Sequence, residues 1–310
     1  MIVLNEIIDI VDENTDIKSV ERKFDRGSGI LYVVDQNRRY LGCITRKELA
    51  MSLKQEHLAV NRSSFKIQCG GEDEKERVEE IFSNHRNIYN IPVIDEKGFL
   101  LYEYIREISD ADFDSVKYWE ERYKGGGNSG EGSYDSLAKF KAEVLNEFIE
   151  KNNIHSVIEW GFGDGNQLNL LKVPSYTGYD VSKTAYRMCK ERFANDKSKE
   201  FLHYDGTRIN EREGLYDMAI SLDVLYHLTE EDKFSNYLYN LFSSSGRYVC
   251  IYASDYDEKQ KVDHIKRRKF TEYVKNNFTE WEMILFIKNP YLYEASNSNF
   301  YFYEKKHKVY

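Results

Sequence analysis

The sequence predicts an α/β protein in which a smaller α+β domain precedes a mostly parallel sheet that ends in an antiparallel hairpin. Short apolar runs near residues 157, 176, 201 and 217 contain or end at an acidic residue, as buried parallel strands do beside a ligand crevice. Glycines at alternate positions follow the first of these runs. Residues 1–109 contain a degenerate internal repeat of shorter apolar runs.

Length and composition set the class of protein. The chain has 310 residues, of which 41% are hydrophobic, so we expect two domains with sizeable cores. A formal net charge of −9 argues against a general nucleic-acid-binding protein. The chain turns acidic at Glu6, which argues against a signal peptide, and no apolar run approaches the ~20 residues that span a bilayer. We therefore expect a cytoplasmic protein.

Four cysteines lack metal-ligand spacing and are expected to be reduced thiols: Cys43, Cys69, Cys189 and Cys250.

Each copy of the repeat has the pattern of a helix followed by two strands joined by a turn. The apolar runs lie at 29–35 and 40–45 in the first copy, and at 88–95 and 99–102 in the second. The short turns predict that the two strands of each copy pair as a hairpin. Neither copy can bury both faces alone, so we expect the two copies to pack on each other.

This repeat resembles a tandem pair of cystathionine-β-synthase-type (CBS) domains, which often bind adenine nucleotides between the copies. Thr45 and Glu48 fall on the family's phosphate-and-ribose motif, although the family has Asp where this chain has Glu48. Residues 102–105 of the second copy carry neither the hydroxyl nor the acid in register. Two roles stay open, a structural or oligomerising one and the sensing of an adenine nucleotide. A homodimer is one alternative for the oligomeric state.

Residues 110–135 form the predicted junction between the domains, which extend over 1–109 and 136–310. A short predicted helix is followed by a loop that has five glycines within residues 125–132. Such a loop is either a flexible linker or a lid over a ligand site. Tyr134, at the end of the loop, is expected to contact a substrate.

The glycine turn after the first strand predicts a ligand site. Gly161, Gly163 and Gly165 follow Glu159, and such a turn between a strand and a helical run at 167–172 brings backbone N–H groups close to a ligand. The dinucleotide fingerprint G-x-G-x-x-G would need its third glycine where this chain has Asn166. The pattern therefore disfavours NAD.

Acidic residues end the next strands. Asp180 ends the second strand, where a carboxylate can accept the hydroxyls of a ribose. Asp205 and Gly206 end the third, where they can meet an adenine edge, and Asp223 ends the fourth. The carboxyl ends of parallel strands meet at one edge of a sheet, so these residues are expected to line one crevice.

These motifs, in this order, resemble the class I S-adenosylmethionine (SAM)-dependent methyltransferases, which implies a Rossmann-like fold and SAM as the cofactor. Residues 118–119, 126–134 and 140–142 are similar to the opening of small methyltransferases from bacterial capsule and surface-polysaccharide loci. The resemblance implies these cofactor-binding residues: Glu159, Gly161, Phe162, Gly163, Gly165, Asp180, Val181, Asp205, Gly206 and Asp223.

Two histidines are candidate general bases for an oxygen acceptor. His227 and His264 qualify because an unperturbed imidazole titrates near neutral pH. Either residue could instead pack or orient the substrate, and Asp223 and Asp255 are the fallback candidates.

Residues 264–270 contain the dense basic cluster of this acidic chain. A helix here would place His264 and Arg268 on one face, with Arg268 binding an anionic acceptor. The alternative is a solvated helix face.

The sequence therefore predicts a SAM-dependent methyltransferase that O-methylates a small anionic or sugar precursor of a bacterial capsule or surface polysaccharide. Modification of a phosphate or phosphoramidate on the glycan is the second possibility for the acceptor. Two other classes of function are weighed against it: a nucleotide-sensing CBS protein whose methyltransferase half is inactive, and a nicotinamide oxidoreductase.

Overall fold

The computed structural model describes residues 2–7, 9–25, 28–62, 65–70, 73–85, 88–106, 113–209, 216–258, 264–292 and 296–306. The chain divides into two compact units, one formed by the ranges 1–111 and 256–266 and the other by 112–255 and 267–310. The predicted boundary at 109 lies outside the described residues. The grouping of 256–266 with the N-terminal unit was not predicted.

The N-terminal unit contains the predicted repeat. It begins with a strand and continues through the first copy: β1 (Ile2–Asn5), β2 (Ile10–Asp12), α1 (Ile17–Asp25), β3 (Leu31–Val34), β4 (Tyr40–Ile44) and α2 (Arg46–Gln55). The second copy follows: β5 (Ile67–Gln68), α3 (Glu74–Asn84), β6 (Asn90–Ile94) and β7 (Leu100–Arg106).

The two copies share one strand topology. In the first, β2 pairs parallel with β3, and β3 pairs antiparallel with β4. In the second, β5 pairs parallel with β6, and β6 pairs antiparallel with β7. The predicted hairpins are therefore confirmed. Strand β1 crosses to the second copy and pairs antiparallel with β7, giving the sheet order β1-β7-β6-β5.

The C-terminal unit is the predicted mostly parallel sheet. Its elements are α4 (Ser115–Lys124), α5 (Asp135–Lys151), β8 (Ser156–Trp160), β9 (Ser175–Asp180), α6 (Lys183–Arg192), β10 (Lys199–His203), β11 (Tyr216–Leu222), α7 (Glu231–Ser244), β12 (Ser245–Ala253), α8 (Phe270–Asn277), β13 (Trp281–Ile287) and β14 (Asn299–Lys305).

Strand order places the ligand crevice. The order is β10-β9-β8-β11-β12-β14-β13, and the pairs from β10 to β12 are parallel while β14 pairs antiparallel with both of its neighbours. The predicted fold class is confirmed. The chain runs outward from β8 in both directions, so the crevice at the carboxyl ends of β8 and β11 is the switch point where such sheets bind ligands.

Apolar side chains cover both faces of this sheet. Phe148 and Leu145 of α5 pack on one face, and Leu238 and Leu241 of α7 pack on the other. No described helix combines the length and the apolar character needed to cross a membrane.

Two predicted helices differ from the structure. The run predicted at 167–172 is a 3-10 turn, Gln167–Leu170. Pro174 disfavours helix in the residue before it, and the Lys172 N–H donates to the Asn146 side chain at 2.7 Å instead of to a helical carbonyl. The helix predicted over the basic cluster begins only at Phe270, so His264 and Arg268 do not share a helix face.

Candidate functional site

The glycine turn leaves β8 in a conformation that needs glycine. Gly161 has a φ of 82°, and a Cβ there would lie 2.6 Å from Cγ2 of Val224. Gly163 has a φ of 60°, and a Cβ there would lie 2.8 Å from the Tyr123 hydroxyl. These glycines therefore let the turn adopt left-handed backbone and let neighbouring side chains cover it closely.

Asp180 binds the glycine turn from the end of β9. Its Oδ2 accepts the Gly163 N–H at 2.9 Å, and its Oδ1 accepts the Ser182 N–H at 2.8 Å. The side chain is buried, and burial raises the pKa of Asp180 to about 6 despite these hydrogen bonds. Each carboxylate oxygen can still accept a further hydrogen bond.

Glu159 is a second buried carboxylate, in β8 below the turn. It accepts the hydroxyl of Tyr176 at 2.6 Å. Burial raises the pKa of Glu159 to about 7, with the charge of Lys141 acting in the opposite direction. Two carboxylates in a low-dielectric site favour a ligand that carries positive charge.

Asp223 ends β11 in a left-handed conformation, with a φ of 60°. Its Oδ2 pairs with Nζ of the fully buried Lys141 at 2.9 Å, and its Oδ1 accepts the hydroxyls of Tyr226 and Ser298, each at 3.0 Å. Strained backbone and a buried ion pair at a crevice are typical of functional sites. Because three donors already hold this carboxylate, it is less suited to act as a base.

The glycine-rich loop after α4 is bonded to the glycine turn. The Ser129 N–H donates to Oδ2 of Asp164 and the Asp164 N–H donates to Oγ of Ser129, both at 2.9 Å. Nδ2 of Asn166 donates to the Ser133 carbonyl at 2.8 Å. Residues 125–134 therefore lie over the glycine turn, and we call this loop the cover. Its hydrogen bonds to the turn favour the lid over the flexible linker.

The cover and the crevice enclose a cavity of about 80 Å³. His227 lines it from the 3-10 turn Leu225–His227, with its ring edge-on to Trp119 at 4.8 Å between centroids. The predicted site residues in the lining are Glu159, Gly161, Phe162, Gly163, Asp180, Val181, Gly206, Asp223 and His227.

Two predicted cofactor residues lie outside the lining. A Cβ on Gly165 would lie 2.8 Å from Sγ of Cys189 in α6, so this glycine allows close packing of the turn on that helix. Asp205 accepts the N–H of Thr207 at 3.0 Å, and that residue's hydroxyl lowers the pKa of Asp205. The Asp205 carboxylate thus stabilises its own turn, while Gly206 beside it faces the cavity.

The remaining predicted residues are also placed elsewhere. The Tyr134 hydroxyl donates to Oδ2 of Asp164 at 2.8 Å, so it anchors the cover. His264 lies in the range 256–266, which belongs to the N-terminal unit, and the structure does not bring it into the cavity lining. Its proposed role as a base is therefore not supported by position.

The guanidinium of Arg268, predicted to bind the acceptor, binds protein groups in the structure. It donates to the carbonyls of Leu228 and Thr229, each at 2.8 Å, and pairs with Glu231 at 2.9 Å. It also stacks over Phe234, 4.5 Å from the ring centroid. Arg268 therefore links the backbone of Leu228 and Thr229 to Glu231 at the start of α7.

Several lining residues were not predicted. The spacing of two aromatic residues on α4 could have identified them from the sequence, because Trp119 and Tyr123 are four residues apart and share a helix face. Gln167 had no such signal, since a buried amide cannot be recognised from sequence. The unpredicted lining residues are Ser115, Val116, Trp119, Tyr123, Ser129, Ser133, Gln167, Tyr204, Leu222, Val224, Leu228, Lys233 and Tyr237.

The chemical character of the cavity residues fits SAM. A glycine cradle, two buried carboxylates and aromatic walls suit a ligand that combines a cationic sulfonium with an adenosyl group. Sites for ligands of this size usually measure about 300 Å³ or more, whereas this cavity measures about 80 Å³.

The N-terminal unit has its own cleft of about 500 Å³, to which both copies of the repeat contribute. Thr45, Lys47 and Glu48 lie along one wall, and Phe65 and Tyr89 along another part of the lining. Oε2 of Glu48 accepts the backbone N–H of Thr45 at 3.0 Å and also its hydroxyl, which forms a capping box at the start of α2. The residue that replaces the family's Asp therefore serves as a helix cap.

The C-terminal unit has a Rossmann-like fold with a cavity at its switch point, as the sequence predicts for a methyltransferase domain that follows a CBS-type pair. Family comparison agrees: residues 158–250 match the methyltransferase domain family and residues 4–55 match the CBS domain family. The prediction of a methyltransferase domain is thus confirmed at this level. The CBS match covers the first copy, and the second copy shares its topology.

Several solved structures are similar to the chain, whereas no curated protein matches it. Magnesium protoporphyrin IX methyltransferase from Synechocystis PCC 6803 with bound SAM is 13% identical, over 64% of this chain and 100% of that one, with a TM-score of 0.48. The methyltransferase domain of bacterial CtHen1 is 19% identical, over 56% of this chain and 100% of that one, with a TM-score of 0.46. Staphylococcus aureus OpuCA is 16% identical, over 33% of this chain and 86% of that one, with a TM-score of 0.28.

Proposed function

We propose that the chain methylates an oxygen atom of a small acceptor, a sugar or anionic precursor of a bacterial surface glycan, with SAM as the methyl donor. The observation that carries the proposal is the cavity at the switch point of the sheet. There a glycine turn and the buried carboxylates Glu159 and Asp180 form a site suited to a cationic adenosyl ligand.

The cofactor would lie along the carboxyl ends of the strands. Asp180 would accept hydrogen bonds from the ribose, while Val181, Tyr204 and Gly206 would enclose the adenine ring. When bound, SAM supplies a methyl group made electrophilic by its sulfonium centre. The protein supplies orientation and exclusion of water, which are the main needs of an in-line displacement.

His227 is the proposed general base. An oxygen acceptor must lose a proton as its new bond forms, and His227 lies in the cavity lining with a side chain that can accept one. The edge-on contact with Trp119 limits the orientations of the imidazole ring. His227→Asn should therefore lower kcat far more than it changes SAM affinity, by about 100-fold or more.

Exclusion of water is assigned to the cover. Ser129 and Asp164 hold the glycine-rich loop on the turn by two reciprocal hydrogen bonds. A loop that opens to admit both substrates and then closes would place the transfer in a dry site.

The acceptor class is supported by the resemblance of residues 118–142 to enzymes of surface-polysaccharide loci. The contacts of the Arg268 guanidinium with protein groups add nothing to this support.

The direct test has two parts. Isothermal titration calorimetry should show binding of SAM and S-adenosylhomocysteine (SAH) and no binding of NAD. Transfer of a labelled methyl group to a panel of sugar phosphates and nucleotide sugars should identify the acceptor. Binding of NAD in place of SAM would sink the proposal, as would binding of SAM without transfer to any small acceptor or glycan precursor.

A second ligand is proposed for the N-terminal cleft. Its size, its aromatic lining and the contribution of Lys47 favour an adenine nucleotide. Calorimetry with AMP, ADP and ATP should show binding that Lys47→Ala weakens, whereas Lys54→Ala, an exposed change in the same helix, should leave it unchanged. Absence of binding in the parent protein would favour the structural role for this unit.

A further inference from the structure

One end of the cavity contains a buried acceptor atom that no described residue uses. Gln167 begins the 3-10 turn after the glycine turn, is only 5% exposed and lines the cavity. Its Nε2 donates to the Ala138 carbonyl at 3.0 Å, but its Oε1 accepts no hydrogen bond from any residue that the structure describes. Burying a carbonyl oxygen without a partner is costly. A donor on a bound ligand would remove that cost.

The orientation of this amide is determined by its neighbour. The two ends of a Gln amide have nearly the same shape, so hydrogen bonding must decide between them. The Ala138 carbonyl can only accept a hydrogen bond and therefore requires Nε2 on its side. Oε1 must then point away from α5.

Helix α5 contacts both Gln167 and Asp223, and both residues line the cavity. Ala138, which binds Gln167, and Lys141, which binds Asp223 at 2.9 Å, are three residues apart on one face of the helix. Such a spacing corresponds to a rise of about 4.5 Å along the axis. A Cβ on Gly132 would lie 2.7 Å from Oδ2 of Asp223, so the cover also approaches this carboxylate.

We propose that Gln167 Oε1 accepts a hydrogen bond from the α-ammonium group of the cofactor's amino-acid part, with Asp223 as the neighbouring anionic group. This inference rests on the proposed SAM cofactor. The ammonium carries three N–H donors and the sulfonium none, while the ribose hydroxyls are assigned to Asp180. The adenine end is assigned to Val181 and Gly206, at the ends of other strands.

The test is calorimetry with two probes, SAH and the SAH analogue in which hydrogen replaces the α-amino group. Gln167→Met keeps the length of the side chain but removes the acceptor oxygen. It should weaken SAH binding about tenfold and change binding of the deaminated analogue less than twofold. The control is Asn166→Ala, which removes the adjacent amide that binds Ser133. It should not discriminate between the probes.

Every outcome decides the inference. Equal losses on both probes would show that Gln167 only supports the shape of the cavity, and unchanged binding of SAH would show that it makes no contact; either result overturns the assignment. If the parent protein binds neither probe, the proposed function itself fails. Gln167→Leu provides a second variant if thermal melting shows that Gln167→Met does not fold.

Discussion

At the scale of single residues, the cavity depends on carboxylates that are buried at a cost. Asp180 illustrates this, because its two backbone hydrogen bonds do not fully offset burial and its pKa stays at about 6. Asp205 is an acid at the end of a neighbouring strand, yet its carboxylate binds its own turn. The two acids therefore form a matched pair for testing.

We expect Asp180→Asn to weaken SAM binding by about 1–3 kcal/mol, the loss of charge-assisted hydrogen bonds. Asp205→Asn should change SAM affinity less than twofold, because the side chain lies outside the cavity lining. Calorimetry on both variants checks the prediction. If the second variant loses as much affinity as the first, the assignment from cavity lining is mistaken.

The buried carboxyl of Glu159 should make the stability of the fold depend on pH. Burial raises its pKa from 4.5 to about 7 in the folded protein, so the folded state binds the proton more tightly than the unfolded state. The contribution of Glu159 to stability is therefore fully present below pH 4.5 and is lost as the pH rises to about 7. Glu159→Gln should stabilise the ligand-free protein at pH 8 by on the order of 2 kcal/mol and have little effect at pH 4.5.

Chemical denaturation at the two pH values measures this difference. Glu191→Gln, an exposed change on α6, is the control and should shift stability at neither pH. A gain for Glu159→Gln that is the same at both pH values would contradict a buried, titrating carboxylate. SAM should also lose its advantage over neutral SAH in Glu159→Gln at pH 8, since the sulfonium then faces one anion fewer.

At the scale of elements, the cover loop and the segment after β11 form the walls of the cavity. Asp164 is the anchor of the cover, with Ser129 and Tyr134 both donating to its Oδ2. Asp164→Ala should therefore release the loop. We expect faster amide hydrogen exchange across residues 125–134 and a loss in kcat/KM of about tenfold or more, because closure positions the reactants.

Glu131→Ala changes an exposed residue of the same loop and is the matched control. It should leave both hydrogen exchange and kcat/KM near the parent values. Unchanged exchange in Asp164→Ala would mean that the loop is held by contacts other than these, and the proposed lid would lose its anchor.

Arg268 acts on the opposite wall. Because its guanidinium binds two carbonyls and Glu231, Arg268→Ala should lower the free energy of unfolding by roughly 2–3 kcal/mol. Lys269→Ala should cost less than about 0.5 kcal/mol, since its pair with Glu272 is exposed and 3.8 Å long. Denaturant unfolding tests both. A loss confined to acceptor KM, with stability intact, would restore the role that the sequence suggested.

At the scale of the whole molecule, the cavity-lining residues that the structure describes all belong to the C-terminal unit. A fragment of residues 113–310 should therefore bind SAM within about threefold of the full chain, since it keeps each of these described lining residues. The fragment lacks the N-terminal unit, with which residues 256–266 are grouped. Replacing these residues with a short Gly-Ser linker should therefore improve the solubility of the fragment. A folded fragment that does not bind SAM would show that the N-terminal unit contributes to the site.

The sequence by itself determined the fold class and the position of the cavity. Glycines at 161 and 163 and acids at the ends of apolar runs are local patterns, because strand ends and left-handed turns demand particular residues wherever they occur. The same reasoning predicted that Asp180 and Asp223 share one crevice, and both line the cavity.

Tertiary structure alone decided which polar groups face the ligand and which serve the protein. Arg268 looked as suitable as its neighbours, but carbonyls 40 and 39 residues away in sequence bind its guanidinium in the folded chain. Gln167 carried no signal in the sequence. Its significance arises because the Ala138 carbonyl of α5 binds one end of its amide, while the other end has no partner among the described residues. Hydrogen bonding between residues distant in sequence depends on packing, and no local pattern encodes it.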